Sequence, residues 1–192
     1  MLKKIAITGN IASGKSQALK IFNKLGAYTI DADSIVHKLL LNDIDLKTKI
    51  VSLFDTTILE DEKIARDKIA KIVFKDETKL KKLENLLHPK VLAEIEKEYE
   101  KVKNSNFIFF IVEMPLLFEI GVQKLFDIVI TISTKEDIAK KRSKDKDYML
   151  RKKRQMPLKE KEKLSDFVIE NNQDISSLEK NIKKISQIIK NL

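Results

Sequence analysis

Eight consecutive residues near the amino terminus, Gly9, Asn10, Ile11, Ala12, Ser13, Gly14, Lys15 and Ser16, spell G-x-x-x-x-G-K-S, and no other stretch constrains the fold as strongly. This spacing makes a phosphate cradle, the P-loop. The glycines permit a turn in which successive backbone N–H groups converge on one anion, the lysine reaches the β- and γ-phosphates, and the next hydroxyl ligates Mg²⁺. The helix that follows adds the positive end of its dipole. The flanks agree. Leu2 to Thr8 reads as a short apolar strand, and Ala18, Ile21, Phe22 and Leu25 recur at helical spacing before Gly26 stops the helix. The chain has only four glycines, and two of them occupy the fixed positions of the pattern. Asn10 to Ser16, with Gln17 just beyond, are therefore the candidate residues for ATP.

The chain has 192 residues, enough for one domain with a full core plus a small insertion. No run approaches the 18 or so apolar residues of a membrane span, and no signal-peptide pattern opens the chain, so a cytoplasmic protein is expected. Cysteine is absent, which excludes disulfides and thiol chemistry, and two histidines support a zinc site poorly. The formal net charge is +9, and Lys135 to Lys163 carries 13 basic and 6 acidic side chains, so +7 of it lies in one short segment. A nucleic-acid reader would interleave aromatics for stacking, and Tyr148 is the only one in this stretch. A basic lid over phosphates needs the charge without the aromatics. No nucleic-acid or membrane partner is expected, and the chain is expected to be a monomer or a weak homo-oligomer.

Beyond the first helix, Ala27 to Ile30 reads as a second strand, closed by Asp31, Ala32 and Asp33. Ligands of open parallel sheets gather at the carboxyl ends of strands, which makes Asp33 a candidate for work beside the γ-phosphate. From Ser34 to about Lys103 the apolar residues recur every three or four positions, and the stretch reads as almost wholly helical. That is longer than an ordinary crossover, so it predicts a helical insertion over 34–103. Phe107 to Val112 is a buried strand that ends in Glu113, an acid suited to the Mg²⁺ shell. Asp127 to Ile132 and Phe167 to Ile169 are two more strands, and the final helix buries Leu178, Ile182, Ile185 and Ile189. Alternating strands and helices predict an α/β fold with a parallel sheet of about five strands. The nucleotide-binding core is expected over 1–33 and 104–192, with a lid at about 138–160.

Thr134, Lys135, Glu136 and Asp137 imitate the guanine-reading motif of GTPases. Glu113 is followed by Met, Pro, Leu and Leu, with no glycine close behind it to serve as a γ-phosphate switch, so these residues are read as a helix start with Thr134 as its cap. A nucleic-acid motor would need a larger body. A small-molecule kinase needs the loop, a base, an acid near Mg²⁺ and a basic lid, and each has a candidate here.

Taken together, GNIASGKS, IDAD at Ile30 to Asp33, NLLHPKV at Asn85 to Val91, EMPLLFE at Glu113 to Glu119 and DFVIENN at Asp166 to Asn172 resemble the dephospho-coenzyme A kinases, in order and over nearly the whole chain. The resemblance implies ATP- and Mg²⁺-dependent phosphorylation of the ribose 3′-hydroxyl of dephospho-coenzyme A, on a nucleotide core with a helical substrate domain and a lid. It implies Asp33 as catalytic aspartate, Lys15 and Arg142 as stabilisers of the transferring phosphate, and His88 and Glu119 as acceptor contacts. Ser16 would ligate the metal, with Asp31 or Glu113 holding its water; these two are left as alternatives. Gln155 matches a glutamine of the family, and the segment between Arg142 and Gln155 is shorter than usual, with Lys146 and Arg151 as its further basic positions. His37 stands where an arginine is common, and Asn10 and Ala12 where glycines are. Another P-loop small-molecule kinase, such as a shikimate or nucleoside monophosphate kinase, is the rival reading.

Overall fold

The five apolar segments picked out by their patterning form one parallel sheet in the computed structural model, which describes residues 1–143 and 148–192. The strands are β1 (Lys4–Thr8), β2 (Tyr28–Asp31), β5 (Phe110–Glu113), β6 (Ile128–Ser133) and β7 (Phe167–Glu170), in the spatial order β2-β5-β1-β6-β7. β1 lies in the middle, and β5 and β6 are buried along their whole length. This is why they read as continuous apolar runs rather than alternations.

Helices and a small strand pair complete the chain. Helix α1 (Lys15–Lys24) follows β1, and α9 (Ile175–Lys190) closes the sequence. Ala18, Ile21 and Phe22 of α1 and Leu178, Ile182 and Ile189 of α9 share one core with Ile5, Ile7, Ile111, Ile130 and Ile169 of the sheet. Ile185 packs on this core from a half-buried position, and Ser186 takes the buried place beside it. At the sheet edge the Tyr28 ring stacks on Phe110, 5.8 Å between centroids, and meets Phe107 edge-on at 5.2 Å. Between β6 and β7 the chain runs through α6 (Glu136–Arg142), α7 (Tyr148–Lys153) and α8 (Leu158–Leu164).

The backbone divides into two compact units, Met1–Asp31 with Lys101–Leu192, and Ala32–Glu100. The second unit contains α2 (Ala32–Asn42), α3 (Ile44–Phe54), α4 (Arg66–Val73) and most of α5 (Glu77–Val102). Its core is its own: Leu40, Leu46, Ile50, Phe54, Ile58, Ile64, Ile69, Val73 and Leu83. Asp43 caps α3 by accepting the Leu46 N–H at 2.9 Å, and Lys90 of α5 donates to the same carboxylate at 2.6 Å. A long helix is thereby fastened to the start of a shorter one. Pro89 lies inside α5 and removes one helical N–H, leaving the carbonyl of the exposed residue Asn85 without its usual donor.

The expectation of an almost wholly helical insertion needs one correction. Leu59–Glu60 (β3) and Lys63–Ile64 (β4) pair as a small antiparallel hairpin. Its turn residues Asp61 and Glu62 both have positive φ, 47° and 60°. That backbone is the one a two-residue hairpin requires, and it is usually signalled by Asn-Gly or Asp-Gly. Among the described residues, no helix is long and apolar enough to cross a membrane.

Candidate nucleotide and phosphoryl-transfer site

The loop from Gly9 to Gly14 leaves the carboxyl end of β1 and runs straight into α1. Gly9 has φ 141° and Gly14 φ 93°, both outside what a side chain tolerates comfortably. Space gives a second reason. A Cβ at Gly9 would lie 2.4 Å from the Ile132 carbonyl oxygen, and one at Gly14 would lie 2.1 Å from Nδ2 of Asn171. Ala12 holds a left-handed φ of 59°, so a residue with a Cβ occupies a conformation that costs about 1–2 kcal/mol. The loop is held in this shape by its surroundings.

Those surroundings can be named. Asn171 Nδ2 donates to the Ser13 carbonyl at 2.8 Å, and the Thr134 hydroxyl lies 2.9 Å from the same oxygen and 3.2 Å from the Asn171 carbonyl. In a trans peptide the C=O and the next N–H point opposite ways, so fixing the Ser13 carbonyl outward directs the Gly14 N–H into the cradle. Thr134 is thus a loop anchor and not the expected cap: α6 begins after Lys135, with no side-chain cap. The Thr134 hydroxyl is drawn to two carbonyls of the loop region instead. The DFVIENN segment is explained by the same framework. Asp166 accepts the Val129 N–H at 2.8 Å, and Asn172 Oδ1 accepts the Lys135 N–H at 2.8 Å.

Lys15 is buried, and its Nζ donates to the Gly9 and Asn10 carbonyls at 3.0 Å each. Two carbonyl bonds hold the ammonium over the mouth of the loop. Asn10 Oδ1 and Ser13 Oγ are buried without a hydrogen-bond partner among the described residues. Buried polar atoms in such a state favour an incoming polar ligand. The Ser16 hydroxyl donates to Glu113 Oε1 at 3.3 Å, and Glu113 is registered directly opposite Asp31 across the β2–β5 pairing. Strand partners put their side chains on the same face of the sheet. Ser16, Glu113 and Asp31 therefore gather at one place beside the loop. A hydroxyl and two carboxylates suit Mg²⁺, a hard cation that keeps several waters and takes few protein ligands. Gln17 follows on α1, half-buried.

Arg142, at the end of α6, donates through Nη1 to the Asn171 carbonyl at 2.9 Å and through Nη2 to the Gln173 carbonyl at 3.1 Å. Its guanidinium therefore belongs to the same framework that holds Ser13. Lys146 lies outside the described residues. Arg151 belongs to α7, whose neighbour Lys152 pairs with Glu136.

Glu119 reaches in another direction. Its Oε1 accepts the Met156 N–H at 2.8 Å and pairs at 2.8 Å with Nζ of Lys161, a side chain with 0% exposure. Burial pushes the Lys161 ammonium below its ordinary pKa, and the Glu119 carboxylate opposes this. Sequence reasoning missed Lys161, which sits in the charged run Lys159 to Lys163. It also missed the Ile11 N–H donating to Gln155 Oε1 at 2.8 Å. In the helical unit, Asp33 is an exposed residue in the first turn of α2, and His88 is half-buried on α5 just before Pro89. An acid in a first turn also suits the helix dipole.

The family model for dephospho-CoA kinase matches residues 3–177. The dephospho-CoA kinase of Protochlamydia amoebophila (strain UWE25) is 38% identical over 197 residues, covering 98% of this chain and 97% of that protein. The solved dephospho-CoA kinase from Campylobacter jejuni superposes with a TM-score of 0.75 at 34% identity, covering 100% of this chain and 98% of the other. The shikimate kinase of Aquifex aeolicus VF5 matches with a TM-score of 0.55 at 15% identity, over 98% of each chain, and shares the fold alone.

Proposed function

As the chain belongs to the dephospho-CoA kinase family, we propose that it transfers the γ-phosphate of ATP to the ribose 3′-hydroxyl of dephospho-coenzyme A, giving coenzyme A and ADP in the last step of coenzyme A synthesis. The observation that carries this reading is the loop framework, in which Asn171 and Thr134 hold the Ser13 carbonyl while Ser16 touches Glu113.

The acceptor oxygen attacks the γ-phosphorus in line, and the bond from that phosphorus to the β–γ bridging oxygen breaks. Backbone N–H groups of Ala12 to Ser16 receive the β-phosphate. Lys15 exchanges its two carbonyl partners for phosphate oxygens, which are better acceptors because they are charged. Ser16 would hold Mg²⁺ directly, with Asp31 and Glu113 orienting its waters. Held there, the ion would supply positive charge to offset that of the phosphates. Arg142 is assigned to the phosphate oxygens as a bidentate donor. Asp33 is assigned to the acceptor: its carboxylate takes the hydroxyl proton or orients the hydroxyl. A loose transition state needs placement more than strong basicity. His88 and Glu119 are assigned to acceptor binding, Glu119 through Oε2, which has no hydrogen-bond partner among the described residues. Residues 34–103 serve as the substrate-binding insertion and about 138–160 as the lid, in a cytoplasmic monomer or weak homo-oligomer.

A coupled assay for ADP, with Mg·ATP and dephospho-coenzyme A run beside shikimate and nucleoside monophosphates, tests the proposal. Turnover confined to dephospho-coenzyme A is expected. Turnover only with the other acceptors would overturn it.

A further inference from the structure

A lysine with no exposed side-chain surface is costly to bury, because the ammonium must give up its water. Lys161 is such a residue, and its partners explain why it is there. Nζ lies 2.8 Å from Glu119 Oε1 and donates to the Pro115 carbonyl at 2.8 Å. Pro115 is two residues beyond Glu113, and its carbonyl also accepts the Thr8 hydroxyl at 3.4 Å, next to Gly9. The backbone of Lys161 is fixed as well: its carbonyl accepts the Ser165 hydroxyl at 2.8 Å. Glu119 Oε1 in turn accepts the Met156 N–H, and the residue before Met156 is Gln155, whose Oε1 receives the Ile11 N–H of the phosphate loop. One ammonium therefore joins the segment after β5 to the connection between α7 and α8.

We propose that Lys161 is a positioning residue for nucleotide binding, and that it acts through Glu119 and Met156 by seating Gln155 on the Ile11 N–H. The bond from Gln155 supports the loop just before Ala12, the residue held at positive φ without glycine's freedom. Without the ammonium, Glu119 turns towards water, Met156 loses its acceptor, and the loop samples other shapes before ATP arrives. Affinity for nucleotide falls by the fraction of molecules no longer preorganised. Lys161 itself, closed off from solvent, touches no substrate. The proposal rests on the nucleotide site described above and is independent of which acceptor is used.

A double-mutant cycle on the full chain tests it, read as Mg·ATP affinity by titration calorimetry without acceptor, well below the unfolding midpoint. Lys161→Met and Gln155→Leu should each weaken Mg·ATP binding about five- to tenfold. The double variant should bind within about twofold of the weaker single variant, because both changes remove one effect. If Lys161→Met does not fold, the neutral pair Lys161→Met with Glu119→Gln takes its place in the cycle. Multiplying effects, an unchanged affinity in Gln155→Leu, or a lower melting temperature with unchanged affinity in the Lys161 variant would each overturn it. Absence of dephospho-coenzyme A turnover would leave this readout intact, so the two proposals fail separately.

Discussion

Asn171 and Gly14 are matched by shape: the side-chain amide that grips the Ser13 carbonyl occupies the space where a Cβ on Gly14 would stand, 2.1 Å from Nδ2. The second glycine of the loop is therefore required by its neighbour as much as by its backbone angle. Asn171 comes from the turn after β7, far along the chain, so the strand at the sheet edge sets the shape of a loop at its centre.

Gly14→Ala should displace the Asn171 side chain and strain a φ of 93° at once. Left-handed strain and one lost buried hydrogen bond together predict about 2–3 kcal/mol of destabilisation. Urea unfolding measures this, and ATP binding should fall at least tenfold with it. A variant as stable as the parent would show that Asn171 moves aside at no cost.

Asp33→Asn keeps the size and first-turn position of the side chain while removing its charge. Turnover should drop on the order of 10² or more with ATP affinity retained. Equal turnover in the two proteins would return Asp33 to a purely structural role at the helix start.

The Asp43 carboxylate is held below its usual pKa, chiefly by the bond from Lys90 and then by the Leu46 N–H, and Lys90 is raised by Asp43. A lowered acid stabilises the fold above its unfolded pKa and ceases to do so as pH falls through the folded one. A raised base stabilises below its unfolded pKa and ceases as pH rises through the folded one. The pair should therefore contribute from about pH 4 to about pH 10 and vanish on the acid side. Comparing Asp43→Asn with the parent by thermal unfolding, the gap should be present at pH 7, begin to shrink below about pH 4, and close as pH falls through the lowered pKa of Asp43. A gap independent of pH would assign the effect to the neutral cap bond with Leu46.

Much of the sheet was legible because buried parallel strands are continuous apolar runs, and Ile128–Ser133 and Phe110–Glu113 are of that kind. The loop was legible because its residue types are chemically irreplaceable. The hairpin at Leu59–Ile64 was not, since Asp61-Glu62 lacks the glycine that announces such a turn. Thr134 read as a cap because local spacing shows the helix start but not the Ser13 carbonyl that competes for its hydroxyl. Lys161 was hidden for a similar reason. In the run Lys159 to Lys163 the three lysines look alike, and only the three-dimensional arrangement makes one of them a buried cation.

Separate cores bear on how the chain assembles. β1 cannot pair with β5 until residues 4–8 and 110–113 meet across more than half the chain, whereas the insertion Ala32–Glu100 is built from neighbours in sequence. Closing a long loop is slow and local helices form quickly. Pulse-labelled hydrogen exchange during refolding should thus find amides of Leu46 and Ile50 protected before those of Ile5 and Ile111. Protection arriving first in the sheet would mean that the insertion is shaped by the strands it interrupts.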